Sequence, residues 1–250
     1  MIIALNKKQL LAIALTVVIV LSSVFIGKEI VVSVNGKLRS LPIYSVDRED
    51  KKIAFTFDCA WGTTYTDELL SIFEKEEVKV TFFMVEFWAT KYPDYVKKIS
   101  DLGHEIGTHS STHSYMSKMS EENIRKEMLS SSMAIENITN KKVELFRAPY
   151  GDYNNRLIDT VSSMGFYTIQ WDVDSLDWKD LSKDEIFKRV SSRVKSGSIV
   201  LFHNNGLHTA SAVEILISTL KKEGYSFETI GNLIYKEDFY INSNGVQIKG

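Results

Sequence analysis

The strongest constraint on the fold is a regular alternation of strand-like and helix-like segments from residue 52 onwards. Short apolar runs rich in β-branched and aromatic residues alternate with amphipathic stretches of helical period. The predicted strands are residues 52–58, 79–85, 104–108, 143–146, 166–171, 198–202 and 226–230, and the predicted helices are residues 66–77, 94–102, 120–138, 154–164, 182–195 and 210–223. Because parallel neighbours need a crossover connection, this order predicts an α/β fold, a parallel sheet covered by helices. The number of strands favours a closed or nearly closed barrel over an open sheet, although periodicity alone does not decide between them.

Helix-capping residues at the ends of the predicted helices agree with this assignment of strands and helices. Four helices are followed by a glycine before the next strand, at Gly103, Gly165, Gly197 and Gly224. Glycine adopts the left-handed conformation that commonly ends a helix. Ser182, with Glu185 three residues later, predicts a capping box at the start of another helix.

Length and composition limit the classes of protein that the chain can represent. The 250 residues suit one sizeable domain, and 44% hydrophobic with 25% charged residues is an ordinary globular composition. A net charge of −2 provides no basic surface for nucleic acid, and no glycine-rich phosphate loop follows the first strand. We therefore expect neither a nucleic-acid partner nor a nucleotide. A single cysteine excludes an internal disulfide, so the domain depends on its core for stability.

The N-terminal region has a different character. Residues 10–27 are uncharged and strongly apolar, with Lys7 and Lys8 before them and Lys28 after them. Such a run predicts a transmembrane signal anchor with a cytoplasmic N-terminus and an extracytoplasmic remainder. A cleaved signal peptide, leaving a secreted protein, is the alternative, but no Ala-x-Ala cleavage site is evident and the run is long for a signal. The predicted organisation is a cytoplasmic segment at 1–9, the anchor at 10–27, a stalk or short hairpin at 28–50, the domain at 51–235 and a C-terminal tail at 236–250.

Polar side chains stand at the carboxyl ends of the predicted strands. They are Asp58, His109 and His113, Arg147, Asp172, Asp174 and Asp177, and His203. In a parallel α/β barrel these strand ends meet on one rim, where active sites lie. We therefore expect these side chains to form one site.

Each group also has a structural alternative. His109 and His113 could face solvent from a helix, but their Ser-Ser-Thr spacer favours a turn, so a metal site is the better interpretation. Arg147 could be a surface residue, but it ends an apolar run before a Pro and a Gly, which indicates a fixed loop. The segment "WDVDSLDW" could be a solvated acidic loop. Its two tryptophans beside three aspartates suggest instead a platform for sugar rings.

Taken in order, "TFD", "HSSTH", "RAPYG", "DSLDW" and "LFH" resemble the five motifs of the polysaccharide deacetylases, carbohydrate esterase family 4. The resemblance spans about residues 51–235. It implies a distorted seven-stranded (β/α) barrel that hydrolyses N-acetyl groups of peptidoglycan or a chitin-like polymer with a divalent metal, usually zinc. The anchor, the stalk and "TFDCAWG" are similar to the sporulation-associated branch of that family.

The resemblance also implies roles for individual residues. Asp58 would be the general base, His109 and His113 the metal ligands, and Arg147 the cation that keeps Asp58 ionised. His203 would protonate the departing amine. Amide hydrolysis needs such a base, such an acid and a polarising metal whatever the family.

Further residues would shape the reaction and bind the substrate. Asp177 would raise the pKa of His203, and the backbone amide of Tyr150 would bind the oxyanion. The predicted substrate-binding residues are Pro149, Tyr150, Trp178, which would wall the acetyl pocket, and Leu201.

Cys59 departs from the family pattern, because family members that bind zinc tightly usually carry a second aspartate there. A thiolate is a good zinc ligand, at about 2.3 Å, but it reaches less far than a carboxylate. Either Cys59 or a water would then be the third ligand. Asn204 also stands where an aspartate is common.

Two functional hypotheses follow. The first is an active metal-dependent N-deacetylase, as the retained Asp58, Arg147 and His203 indicate. The second is an envelope protein that keeps the glycan cleft but has lost catalysis, as Cys59 indicates. A purely structural domain would not need charged residues at five strand ends.

Overall fold

The computed structural model describes residues 39–250. The predicted N-terminal segment at 1–9, the anchor at 10–27 and the first part of the stalk lie outside these residues. Within 39–250, no helix combines the length and apolar character needed to cross a bilayer. Residues 40–250 form one compact unit.

Strands and helices alternate along this unit. The strands are β1 (Ser45–Val46), β2 (Lys52–Cys59), β3 (Thr81–Met84), β4 (Glu105–Thr108), β5 (Leu145–Phe146), β6 (Tyr167–Thr168), β7 (Val173–Asp174), β8 (Ile199–His203), β9 (Ser226–Phe227), β10 (Phe239–Ile241) and β11 (Val246–Lys249). The helices are α1 (Thr66–Lys75), α2 (Glu86–Lys91), α3 (Pro93–Asp101), α4 (Glu121–Thr139), α5 (Asn155–Ser163), α6 (Lys183–Ser191), α7 (Thr209–Lys222) and α8 (Ile230–Leu233). Three single-turn 3-10 helices lie at Met116–Lys118, Pro149–Gly151 and Asp177–Lys179.

The main sheet is parallel and has the order β6-β5-β4-β3-β2-β8-β7. β9 pairs in parallel with the first residues of β2. The register sets Asp58 of β2 beside His203 of β8. The parallel α/β architecture predicted from the alternation is confirmed.

The sheet curls but its hydrogen-bond ladder does not close into a ring. Its edges, β6 and β7, are joined by residues 169–172, and no pairing between these two strands is present in the described part of the chain. Ile43 lies against this opening, where its amide donates to the Thr168 carbonyl at 2.9 Å and its carbonyl accepts from the Gln170 amide at 2.7 Å. The predicted barrel is therefore a curled half-barrel.

Two predicted segments differ in detail from the structure. The predicted strand at 166–171 is reduced to β6, and β7 lies in a segment predicted to be a loop. β7 depends on long-range pairing with β8, which local periodicity does not report. In the ranges predicted as stalk and tail, β1, β10 and β11 form a separate three-stranded sheet.

Successive side chains of the central strands point to opposite faces of the sheet, so they contribute to separate hydrophobic clusters. Phe55, Phe57 and Cys59 of β2 belong to the main cluster, which lies between the sheet and the helices. Phe57 stacks on Phe202 of β8 at 5.3 Å between ring centroids. Since successive strand residues face opposite sides, Asp58 faces away from this cluster. This period of two determines which side chains of β2 and β8 reach the site.

Three of the four predicted helix-ending glycines, Gly103, Gly165 and Gly224, follow the last residue of α3, α5 and α7 by two positions. Gly197 does not end a helix, because α6 ends at Ser191 and Gly197 lies in a turn before β8. Gly103, Gly165, Gly197 and Gly224 all have positive φ, from 79° to 87°. The capping box before α6 is present, with the Glu185 amide donating to Ser182 Oγ and the Glu185 carboxylate accepting from the Ser182 amide.

Candidate active site

A cavity of about 630 Å³ opens at the carboxyl ends of the parallel strands. Its size lies within the range of small-molecule sites. The predicted site residues that line it are Asp58, His109, His113, Tyr150, Asp174, Trp178, Leu201 and His203. Arg147 and Asp177 are buried and hold lining residues from behind. The predicted convergence of the strand ends is thus present in the structure.

Asp58 and Arg147 form a buried ion pair. Arg147 Nη1 donates to Asp58 Oδ1 at 2.8 Å, and Nη2 donates to the Gln170 carbonyl at 3.1 Å. The guanidinium also lies over the Phe83 ring, 4.2 Å from its centroid. Burial would raise the pKa of Asp58, but the positive charge of Arg147, its hydrogen bond to Asp58 and the charge of His203 outweigh this and lower the pKa below its usual value. Asp58 is therefore an ionised carboxylate at neutral pH.

His109 is held in one tautomer by the Arg147 backbone. Its Nδ1 lies 2.8 Å from the Arg147 carbonyl oxygen, which can only accept, so Nδ1 carries the proton. Burial lowers the pKa of His109, so the ring is neutral and Nε2 keeps its lone pair. The His109 Nε2 atom lies 3.5 Å from Asp58 Oδ2, which is also an acceptor. Two acceptors therefore face each other across a gap.

His113 lies beside His109, with 4.9 Å between the ring centroids. Its backbone has a φ of 55°, and its amide donates to Ser110 Oγ at 3.0 Å. Its buried Nδ1 has no hydrogen-bond partner among the described residues. Burial, together with the neighbouring His109, lowers the pKa of His113 to about 4, so this imidazole is also neutral. The predicted histidine pair is thus assembled by a turn.

These features fit a divalent cation held by His109 and His113. Neutral imidazole is the form that binds metal, and an unpartnered nitrogen beside two opposed acceptors suits a positive ion. Within residues 39–250, no three or more His, Cys, Asp or Glu side chains are arranged as a complete metal site. The remaining ligands would therefore come from water or substrate.

Cys59 is not grouped with the two histidines. Its side chain is fully buried in the main hydrophobic cluster, and its thiol donates weakly to the Phe57 carbonyl at 3.9 Å. Burial raises the pKa of Cys59 well above its usual value, so it is a thiol rather than a thiolate. The alternative in which a Cys59 thiolate completes the ligand set is corrected by this placement.

His203 and Asp177 form a second charged pair. His203 Nδ1 lies 2.8 Å from Asp177 Oδ1, and Asp177 Oδ2 accepts from the His203 amide at 2.8 Å and from Thr209 Oγ1 at 2.7 Å. Burial would lower the pKa of His203, but the hydrogen bond and charge of Asp177 outweigh it and raise the pKa. His203 therefore holds a proton more readily than an ordinary histidine.

The predicted substrate-binding residues occupy different depths. Tyr150 and Trp178 are exposed on the rim, each 55% accessible, and Leu201 lines the cavity from β8. Tyr150 has a φ of 62°, a left-handed conformation that is strained for a residue with a side chain. The prediction that Pro149 binds substrate is not supported, because Pro149 is buried and does not line the cavity.

The sequence pattern predicted Asp172 on the rim and Trp171 in a platform for sugar rings, but it assigned no role to Trp61. Asp172 instead accepts from Ser198 Oγ and the Ile199 amide, both at 2.9 Å, and so holds β7 to β8. Trp61 and Trp171 line the cavity. An aromatic residue two positions after the end of β2, the strand that carries Asp58, is the signal that could have identified Trp61.

Comparisons with known proteins agree with this geometry. A family model described as polysaccharide deacetylase matches residues 45–169. A peptidoglycan-N-acetylglucosamine deacetylase of Bacillus cereus is 34% identical over 196 residues, covering 76% of this chain and 92% of its own. An uncharacterized protein, YlxY, of Bacillus subtilis is 32% identical over 79% of this chain, but the chain spans only 61% of that protein's length.

A solved structure gives a similar result. The protein BA3943 of Bacillus anthracis, described as a carbohydrate esterase family 4 pseudoenzyme, superposes with a TM-score of 0.75 at 33% identity, covering 80% of this chain and 70% of that one. A mutant of the same protein, described as having restored enzymatic activity, superposes equally well.

Proposed function

Since the chain belongs to the polysaccharide deacetylase family, we propose that it is a hydrolase that removes N-acetyl groups from a cell-envelope glycan, with peptidoglycan as the substrate. The observation that carries the proposal is that one cavity holds two ionisable groups whose pKa values are shifted in opposite directions. Asp58 has a lowered pKa and is ionised, whereas His203 has a raised pKa and holds a proton. A base and an acid separated in this way are what amide hydrolysis requires.

The residues of the cavity divide the reaction between them. Asp58 accepts a proton from the attacking water while the water oxygen bonds to the acetyl carbon. The backbone amide of Tyr150 is the proposed donor to the oxyanion. The carbon–nitrogen bond then breaks, His203 gives its proton to the leaving nitrogen, and acetate and a free amine result.

Two further residues keep the acid and the base in the right state. Arg147 stabilises Asp58 as a carboxylate, and Asp177 keeps the His203 ring oriented and protonated. A divalent ion on His109 and His113, if bound, would supply Lewis-acid polarisation. We propose zinc because imidazole ligands suit it.

Acetate release tests this function. The full chain is incubated with peptidoglycan fragments and, separately, with N-acetylglucosamine oligomers, with added Zn²⁺ or with a chelator. We expect acetate from at least one glycan, and more with Zn²⁺ than with chelator. An absence of acetate from both substrates under both conditions would overturn the proposal.

A glycan-binding protein without turnover is the second candidate. The burial of Cys59 and the lack of a complete ligand set in the described residues favour it, and BA3943 is a relative described as a pseudoenzyme. This candidate predicts that the chain binds the same glycan fragments but releases no acetate. The two candidates therefore differ in turnover and agree in binding.

We also propose a membrane-anchored, extracytoplasmic location, supported by the uncharged residues 10–27. A role in sporulation is supported by the similarity of "TFDCAWG" and its flanking segments to the sporulation-associated branch. Detection of the chain in spore-stage membranes would support both, and detection in the cytosol of growing cells would contradict both.

A further inference from the structure

Trp61 is an exposed aromatic residue at the mouth of the cavity. Its side chain is 64% accessible and lines the cavity. Its ring meets the His113 ring nearly edge to face, with 5.0 Å between centroids. A single exposed tryptophan is not unusual on a protein surface. What distinguishes Trp61 is this location together with the way its loop is held.

The loop that carries Trp61 is fixed by contacts to its neighbour, Gly62. The Gly62 carbonyl accepts from Trp88 Nε1 at 2.8 Å and from Asn204 Nδ2 at 3.0 Å. Gly62 has a φ of 65°, and a Cβ there would lie 2.6 Å from Asn205 Nδ2. Only glycine fits this position without displacing Asn205. The exposure of Trp61 is therefore set by a fixed loop.

Asn204 is the second side chain that holds the Gly62 loop. Its side chain is buried, and its amide nitrogen donates to the Gly62 carbonyl and, at 3.1 Å, to Thr66 Oγ1. An ionised aspartate has no donor and would face the Gly62 carbonyl with a negative charge. Asparagine at 204 is thus matched to the loop that presents Trp61.

We propose that Trp61 is a carbohydrate-stacking residue, and that Asn204 is a positioning residue that holds its loop. This inference rests on the proposed glycan function and names the part of the site that binds a sugar ring at the cavity mouth. A sugar ring has apolar C–H faces and a polar rim, so a flat exposed indole beside a polar cavity is complementary to it. A fixed loop lowers the entropy lost when the sugar binds.

Calorimetric titration with N-acetylglucosamine oligomers tests the inference. The full chain is titrated in chelator, so that binding is measured without metal-supported turnover. We expect Trp61→Ala to raise Kd about tenfold, as a typical aromatic hot spot does, and Trp61→Phe to recover most of the affinity. Asn204→Asp should also raise Kd. Tyr240→Ala is the matched control, because Tyr240 is an exposed aromatic that does not line the cavity, and it should bind as the native chain does.

The outcomes separate this inference from the function on which it rests. Unchanged Kd in Trp61→Ala, with acetate release retained by the native chain, would overturn the stacking role alone. Unchanged Kd in Asn204→Asp would overturn the positioning role. If the native chain binds no oligomer and releases no acetate, both the inference and the proposed function fail.

Discussion

At the scale of single residues, two neighbours in β2 have opposite environments. Asp58 faces the cavity and is paired with Arg147, whereas Cys59 packs in the main cluster. The reason is the two-residue period of a strand. Five motifs in order predicted the residues that line the cavity, but a motif does not state which way a substituted side chain points.

The placement of Cys59 leads to a prediction for Cys59→Ala. The change removes a buried sulfur and leaves a small cavity, so we expect the free energy of unfolding to fall by about 1 kcal/mol. Zinc affinity should stay within about threefold of native, because the thiol is not grouped with the histidines. Denaturant unfolding and zinc titration check this pair of values. A loss of zinc affinity of tenfold or more would show that Cys59 is a ligand.

The pairing of His203 with Asp177 leads to a prediction for the pH dependence of acetate release. Because His203 must be protonated to act as an acid, activity falls as pH rises through its pKa. Asp177 raises that pKa, so Asp177→Asn should move the alkaline limb of the kcat/KM profile to lower pH. The acid limb, set by Asp58, should stay in place. An alkaline limb that does not move would contradict the assigned role of Asp177.

At the scale of elements, the sequence predicts long elements well and short ones poorly. α4 and α7 were predicted from their amphipathic patterns, but α2 has only 6 residues and β7 only 2. Elements this short contain too few residues to show the hydrophobic periodicity from which helices and strands are predicted. β7 exists because Asp172 and the β8 backbone hold it, which is information carried by a distant segment.

Two glycines with positive φ provide a matched test of how β1 is packed. Gly165 and Gly197 have similar φ, 85° and 79°, but a Cβ on Gly165 would meet nothing within 4 Å, whereas one on Gly197 would overlap the Val46 carbonyl. Gly165→Ala should cost about 1 kcal/mol, the usual cost of a left-handed conformation. Gly197→Ala should cost at least about 3 kcal/mol, because β1 must also move. Equal costs in denaturant unfolding would contradict the packing of β1 against Gly197.

At the scale of the whole molecule, the parallel α/β architecture followed from the sequence but its closure did not. The opening between β6 and β7 lies against Ile43, which is in a segment predicted to be a stalk. The site could be predicted as a set because strand ends of a parallel sheet converge. The loop interactions of Trp61 and Asn204 could not, because no spacing rule relates residues so far apart in the chain.

Global stability should depend on pH through His104. Its ring is buried against Phe73 and Phe82, and its Nδ1 accepts from the Val80 amide at 3.3 Å. Burial lowers the pKa of His104 to about 4, from 6.5 when exposed. The unfolded chain therefore binds the extra proton between these values, and stability is lost as pH falls through this window.

The expected contribution of His104 to this loss is about 2 kcal/mol at pH 5. His104→Asn lacks the titrating group, so its free energy of unfolding should fall less than that of the native chain between pH 7 and pH 5. The difference between the two chains in this change of unfolding free energy isolates the contribution of His104, because other titrating groups, such as His113, contribute equally to both. Parallel stability curves for the two chains would contradict a buried neutral His104.

The central claim is that Asp58 and His203 form a working base and acid on one cavity. The most direct measurement is the rate of acetate release from peptidoglycan fragments by the native chain, Asp58→Asn and His203→Gln, each with added Zn²⁺ and each checked for folding by its thermal midpoint. We predict release by the native chain and a rate at least about 100-fold lower in each folded variant. Release at the native rate by either folded variant, or glycan binding by the native chain with no release at all, would contradict the claim.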